Sequence, residues 1–490
     1  MPNPAFSNRI TSCWQPILFA ALAGAMGWGI RGQYGHETGA MIAGVLTSLT
    51  LVLLFCPQIP SLSIARAVAW ATVAMGIGGS MTYGQTVGLT HDGPLIGHWD
   101  ALRWGMFGLA IKGGIWIGFA GIFLGMGLSE VRYRPLEMLW LMITMLGIYL
   151  VGTTLLNSPF DPGQQQLPWI YFSDSWYWEP GGDLKPRREI WGGLLLAFIL
   201  LGGYAGWYRQ DRLARSLAIW GILGGSIGFP GGQVLQAFQV WNPEHFAGPW
   251  WGTLHINWWN MMETIYGSLM GGILGFGLWL NRNRILPAAV DIDGCFPLRW
   301  EIGLLAIHLP MLLAVEFLSL RPIDALYDLS LGMALIPIVA ISGGRWWPYW
   351  QMLPLTAIPI IGKTIRELVY RSDSIDPLFG WLCYGIVPLG ITIALALWSG
   401  WQPRRQRQAG TTLALCLIVT TWVYFGLNWA IFQFPWPWET WTNRTANGLI
   451  FAAAAFLLTI LGLRTFWAHA CTEEPEAVQQ LDQQQSTPST

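Results

Sequence analysis

Long apolar runs recur along the whole chain, parted by short polar or glycine-rich interruptions. A helix needs about 20 mainly apolar residues to cross the hydrocarbon core of a bilayer, within a range of roughly 17–25. Stretches of that kind occupy residues 15–31, 39–56, 66–88, 103–129, 135–156, 190–208, 213–230, 258–280, 300–319, 324–342, 346–362, 376–399, 410–431 and 446–468. The first, seventh and eleventh are short or broken by Gly and Pro. The pattern therefore predicts an all-α, polytopic transmembrane helix bundle of about 12–14 spans. The apolar stretch from Gln15 to Ile30 reads as a first span rather than a removed signal peptide.

Within the N-terminal half the pattern echoes itself three times. One span ends in Gly27-Trp28-Gly29-Ile30-Arg31-Gly32-Gln33, another in Gly79-Ser80-Met81-Thr82-Tyr83-Gly84-Gln85, and a third in Gly225-Ser226-Ile227-Gly228-Phe229-Pro230-Gly231-Gly232-Gln233. Each becomes glycine-rich at its outward end and then presents a glutamine. The following spans also correspond, Ile111-Lys112-Gly113-Gly114-Ile115 with Leu269-Met270-Gly271-Gly272-Ile273. These are read as Gly-rich internal repeats. Small residues at such spacing let helix backbones approach closely, which accounts for most of the glycines. Those before Gln33, Gln85 and Gln233 carry a further meaning, because glycine-interrupted apolar segments in corresponding positions point to a transport site. The paired hairpins resemble those of small-anion permeases built from repeats, but glutamines stand here where such proteins place cysteines, and no residue role carries over. The chain divides into residues 1–282, a repeat-containing half with outward polar loops, and 283–470, a second transmembrane half. Residues 471–490, rich in Gln, Glu, Ser and Pro, are read as a disordered cytoplasmic tail.

Composition supports the membrane reading. Charged residues make up 11% of the chain and hydrophobic ones 53%, against roughly 25% charged in a soluble domain. A net charge of −1 gives no reason to expect nucleic acid as a partner. The six cysteines form no CxxC pair, which argues against a zinc ribbon or redox motif. Arginines favour one side: Arg132, Arg134, Arg209, Arg212, Arg215, Arg282, Arg284, Arg299, Arg345, Arg404, Arg405 and Arg407, against Lys185, Arg187, Arg188, Lys363, Arg366 and Arg371 opposite. By the positive-inside rule both termini are cytoplasmic, in a plasma (inner) membrane.

Candidate chemistry gathers near the three repeat loops. Arg31, Gln33, His36 and Glu37 follow the first; Gln85, His91, Asp92, His98, Asp100 and Arg103 the second; and Gln233, His255 and Glu263 the third, among Trp250, Trp251, Trp258 and Trp259. Five of the seven histidines lie there, and histidine beside carboxylates can move protons or act as an acid–base pair. No HxxxH or HExxH pattern appears, so no metal site is expected, and no motif identifies a cofactor. Lys112 falls well inside a span, where a charge marks function by default, with Glu263 as its expected partner. His308, Glu316, Asp324 and Asp328 form a second polar set. Between Pro159 and Trp191, Trp169, Tyr171, Trp176, Tyr177 and Trp178 stand beside Asp174 and Glu179, a composition suited to sugar rings or cationic ligands.

The expected function is a membrane permease for a small polar or anionic solute, with an outward-facing polar cavity lined by Gln33, Gln85 and Gln233. Arg31, Arg103 and Lys112 would supply its positive charge and His36 with Glu37 a proton-coupled pair. The alternative is a membrane-embedded transferase using a lipid-linked sugar or acyl donor at the outer face, with Glu37, Asp92 or Asp100 as base. The expected partners are the lipid bilayer and a small-molecule or lipid-linked substrate.

Overall fold

The computed structural model describes residues 12–35, 37–173, 186–248, 251, 255–286, 296–318, 320–372, 375–401, 409–431 and 441–485, with side chains described as far as residue 470. Among these the chain is all-helical, with no strand beyond an isolated bridge between Asp161 and Gln166. The helices of the first half are α1 (Trp14–Arg31), α2 (Glu37–Phe55), α3 (Ser61–Ile77), α4 (Gly84–His91), α5 (Trp99–Leu128), α6 (Pro135–Leu156), α7 (Trp191–Gly203), α8 (Arg212–Trp241) and α9 (Trp258–Leu280). Then follow α10 (Leu298–Phe317), α11 (Arg321–Asp328), α12 (Leu331–Gly343), α13 (Trp347–Trp350), α14 (Thr356–Ile365), α15 (Pro377–Trp381), α16 (Val387–Trp401), α17 (Ala409–Ile431) and α18 (Thr445–Gln485). The backbone of α18 continues into the polar segment that composition assigns to the tail.

Nine of the described helices are long and apolar enough to cross a membrane, or up to ten if α11 and α12, bent by 73°, count as one. This is fewer than the 12–14 expected, and α1, α8 and α9 account for much of the difference. All three form as helices, but glycine and polar residues dilute their apolar character. The segment 346–362 is divided into α13, a wide turn at Gln351–Leu355 and α14. Nor does α8 end at Pro230: it runs on to Trp241.

Side-chain caps fix several helix starts, each satisfying an N–H left open in the first turn. Asn257 accepts from the Asn260 N–H at 2.9 Å before α9, and Asp376 from the Phe379 N–H at 3.0 Å before α15. Glu301 accepts from the N–H groups of Arg345, Trp346 and Trp347 at the start of α13, at 3.0, 2.9 and 2.9 Å. Asp211, outside the candidate spans, caps α8 through the Ala214 N–H at 2.8 Å and receives the hydroxyls of Ser129 and Tyr133 at 2.6 and 3.0 Å. Burial nevertheless holds its carboxyl above the ordinary carboxylate range, because desolvation outweighs those bonds.

Glycines set the central packing. A Cβ on Gly225 of α8 would strike the Gly113 carbonyl of α5, and one on Gly267 of α9 the Gly24 carbonyl of α1. The two pairs therefore meet backbone to backbone. Helices α2, α3 and α5 are mostly buried, whereas α6 and α10 turn large apolar residues outward, among them Trp140, Leu155, Trp300 and Ile307. The outer face of α8 is equally apolar, with Ile219, Leu223, Ile227, Val234 and Phe238 exposed. The later helices close on the earlier ones: Arg66 donates to the Gly344 carbonyl at 3.0 Å, and Trp70 Nε1 to the Ile338 carbonyl at 3.2 Å.

Candidate functional site

Helix α1 ends at Arg31 because Gly32 and Gly35, the latter at φ +84°, turn the chain toward α2. Helix α3 stops at Ile77, passes through a tight turn at Gly78–Ser80, and leaves Met81–Tyr83 outside regular helix before α4. These two interruptions bring Arg31 and Tyr83 together, and Glu263 reaches them from the second turn of α9. An Arg31 Nη2 lies 3.2 Å from Glu263 Oε1 and donates to the Tyr83 hydroxyl, which donates to the same carboxylate oxygen at 3.2 Å. Trp259 Nε1 donates to that oxygen as well, at 3.2 Å. Arg31 and Glu263 are each no more than 2% exposed.

Aromatic rings wall the charges. The guanidinium carbon lies 4.9 Å from the centre of Trp28, 5.1 Å from Tyr83 and 5.7 Å from Trp116. Tyr266 stacks on Phe229 at 4.6 Å and 7°, and Phe229 stands 5.2 Å from Tyr83. Such contacts add about 0.5–2 kcal/mol each when desolvated. Close approach requires Gly32, since a Cβ there would collide with Glu263 Oε2. Asn260 Nδ2 ties α9 to the Gly29 carbonyl at 3.0 Å. Several buried polar atoms here have no hydrogen-bond partner among the described residues: Glu263 Oε2, Asn260 Oδ1, the Tyr266 hydroxyl and Trp28 Nε1. A buried polar group without a partner costs roughly 1–3 kcal/mol, so the cluster is chemically unsaturated.

Lys112 belongs to a second buried pair, and its expected partnership with Glu263 is corrected. Its Nζ lies 2.6 Å from Glu189 Oε1. It also donates to the Thr82 carbonyl at 2.5 Å, to Thr86 Oγ1 at 2.8 Å and to Ser173 Oγ at 3.3 Å. Glu189 Oε2 accepts from the Phe172 N–H at 2.9 Å. Glu263 is engaged by Arg31 instead, because α9 packs along α1 while α5 faces α8. Lys112 holds a carbonyl released by the α3–α4 break, next to Tyr83, and docks the chain around Ser173 and Glu189.

Two of the three glutamines have partners of their own. Gln85 Oε1 accepts from the Arg187 N–H at 3.1 Å, Gln233 Nε2 donates to Thr90 Oγ1 at 2.7 Å, and Gln33 is half-buried at the end of α1. The three glycine-rich segments do meet, but through Trp28, Tyr83 and Phe229. His91 pairs with Asp92 at 3.1 Å, its ring 6.2 Å from Trp259. His98 caps α5, accepting from the Ala101 N–H at 3.3 Å, and Asp100 pairs with Arg103 at 3.4 Å on the exposed surface. His255 packs 6.3 Å from Trp441. Glu37 turns away from Arg31 toward Tyr327 and Lys363. His36 lies outside the described residues, as do Asp174, Trp176, Tyr177, Trp178, Glu179 and Trp250; Trp169 is 94% exposed and Tyr171 buried. Among the described residues no group of three or more His, Cys, Asp or Glu could hold a metal.

Sequence reasoning missed Tyr83, Glu189, Trp116 and Tyr266. Tyr83 sat inside the second glycine motif and could have been found there; Glu189, at the edge of a loop, gave no such signal.

Fold and site together define a class: among the described residues, an all-helical protein whose apolar helices have the length of membrane spans, with the Arg31–Glu263 and Lys112–Glu189 pairs buried among them. No model of a known protein family matches the chain, and the search of curated proteins gave no significant match.

Proposed function

We propose that the chain is a multi-pass membrane permease for a small anionic or polar solute, with the Arg31–Glu263–Tyr83 cluster as its recognition site. The observation that carries this reading is a charge pair held where two helix interruptions meet, at Gly32–Gly35 and Gly78–Tyr83. Irregular backbone at membrane depth is tolerated where it is buried in protein or lines a wet cavity, and broken helices of this kind hold solutes in transporters. The outward apolar faces of α6, α8 and α10 suit a lipid environment, and the arginine distribution supports cytoplasmic termini.

In this reading the solute's oxyanion competes with Glu263 for the Arg31 guanidinium, a fork suited to bidentate binding. Glu263 takes up a proton as it leaves, so it does not remain as a bare buried anion. The Tyr83 hydroxyl, bonded to both, passes from carboxylate to solute. Solute and proton then move together.

The test is uptake into proteoliposomes from a panel of labelled phosphate, sulfate, acetate and lactate under an imposed proton gradient. Wild-type protein should accumulate at least one of them, Arg31→Ala should abolish uptake, and Glu263→Gln should leave exchange that no longer responds to the gradient. Product formation from a polyprenyl-linked donor without flux of any of these solutes would refute the permease and establish the transferase.

A further inference from the structure

A groove of about 270 Å³ lies between α10, the start of α13 and α16. Its walls include Ile302 and Leu305 of α10, Trp346 and Trp350 around α13, and Leu397 and Trp401 of α16. Ile302, Leu397 and Trp401 are also exposed, so the groove opens on the outward apolar faces of α10 and α16. Glu301 lines it too but asks nothing of an occupant, since both its carboxylate oxygens accept backbone N–H groups, from Arg345, Trp346 and Trp347. An apolar cavity of about 150 Å³ already holds benzene, so this groove has room for a length of hydrocarbon chain. Trp347 is a further lining residue, buried, whose Nε1 has no acceptor among the described residues. An ester carbonyl brought by an occupant would meet that donor.

Positive charge stands at one end of the groove. Arg345 Nε donates to the Gly400 carbonyl at 3.1 Å, next to Trp401, and the Arg345 guanidinium carbon lies 6.0 Å from the centre of Trp346. Arg66 donates to the Gly344 carbonyl at 3.0 Å, and a Cβ on Gly344 would lie 2.6 Å from Glu301 Oε2. Arg299 is exposed on the first turn of α10, beside Leu298 of the groove wall. Three guanidiniums therefore gather about one carboxylate whose charge is already met by N–H groups. Arg299 and Arg345 also belong to the side that the arginines of the sequence favour, the side that faces a leaflet carrying anionic lipid.

We propose that this groove holds one anionic phospholipid, with an acyl chain between the tryptophans of α13 and α16 and the phosphate against Arg299 and Arg345. The apolar walls set the place of the chain, and the arginines set the sign of the headgroup. A neutral lipid would fill the same hydrocarbon space and forgo the arginines, which is the difference the experiment reads. The inference rests on the membrane setting of the preceding reading and not on transport, because lipid binding is measured without flux.

The experiment counts lipids bound to the purified full chain by native mass spectrometry, titrating dioleoyl phosphatidylglycerol against dioleoyl phosphatidylcholine in detergent. The expected result is a first site that saturates at one lipid per chain and prefers phosphatidylglycerol about tenfold or more. Arg299→Gln, at an exposed position, should cut that preference about fivefold, which corresponds to ~1 kcal/mol for one basic residue near an anionic headgroup. Leu397→Trp, which fills the groove from its exposed mouth, should remove the tight first site for both lipids; Ile302→Trp makes the same test from α10 if Leu397→Trp fails to fold. Equal binding of the two lipids, a first site untouched by either groove-filling change, or a dimer of the chain that forms as lipid is stripped and is broken by Leu397→Trp would overturn the proposal. Recovery of the chain in the aqueous fraction without detergent would refute the membrane setting itself, whereas loss of solute uptake with lipid binding intact would refute the permease alone.

Discussion

The Nζ of Lys112 stands 2.6 Å from Oε1 of Glu189, a residue 77 positions later in the chain. The same ammonium caps the Thr82 carbonyl, so one charge supports both the loop before α7 and the elbow that carries Tyr83. Removing it leaves the buried Glu189 carboxylate without its cation.

Lys112→Met, an uncharged side chain of similar length, should destabilise the fold by about 3–5 kcal/mol, the cost of an uncompensated buried charge. Lys112→Met with Glu189→Gln should lose less than the two single changes added together, with a coupling of ~0.5–3 kcal/mol. A double-mutant cycle of thermal unfolding in detergent measures it, and strict additivity would refute the pairing.

Gly32→Ala should displace the Glu263 carboxylate, because the added methyl would occupy the place of Oε2. The expected result is loss of solute uptake by tenfold or more, about 1.4 kcal/mol at the site, with helix content by circular dichroism unchanged. Wild-type uptake by Gly32→Ala would mean that the carboxylate position does not matter.

Gly225→Ala should cost about 1–3 kcal/mol by forcing α8 off α5 at Gly113. Gly202→Ala in α7, where a Cβ meets nothing within 4 Å, should be neutral or stabilising by up to ~1 kcal/mol. Comparing the two melting temperatures separates close packing from helix propensity.

Asp211 makes the pH dependence specific. Its folded-state carboxyl is raised above 3.8 by burial. Its contribution to stability is therefore fully present below that value and is lost as pH rises through the folded pKa. The advantage of wild type over Asp211→Asn should be greatest near pH 4 and shrink toward neutrality, which melting curves across that range will test.

The helices were readable from apolar run length, and α5 and α6 lie within a few residues of their expected limits. Lys112 and Glu263 were singled out because charge in an apolar stretch is costly, and Arg31 because it follows the first glycine motif; all three are buried and paired. Their partners were not readable, since which charge meets which depends on helix neighbours far apart in sequence. Lys112 and Glu263 are drawn apart by the backbone contacts of α5 with α8 and of α1 with α9. The glycine motifs before Gln33, Gln85 and Gln233 mark where chain segments converge, and what the sequence did not show is that Trp28, Tyr83 and Phe229 of those segments gather around Arg31. Pro230 looked like a stop, yet only one backbone donor is forfeited there, and tight packing against α9 at Gly228 and Gly232 keeps α8 continuous.

The contact of Gly24 with Gly267 seats α1 directly on α9, backbone against backbone, so no space lies between the two helices that carry Arg31 and Glu263 at that level. A gate built on this scaffold would open through its side chains, the Glu263 carboxylate turning from Arg31 and Tyr83 following, without parting the two helix backbones.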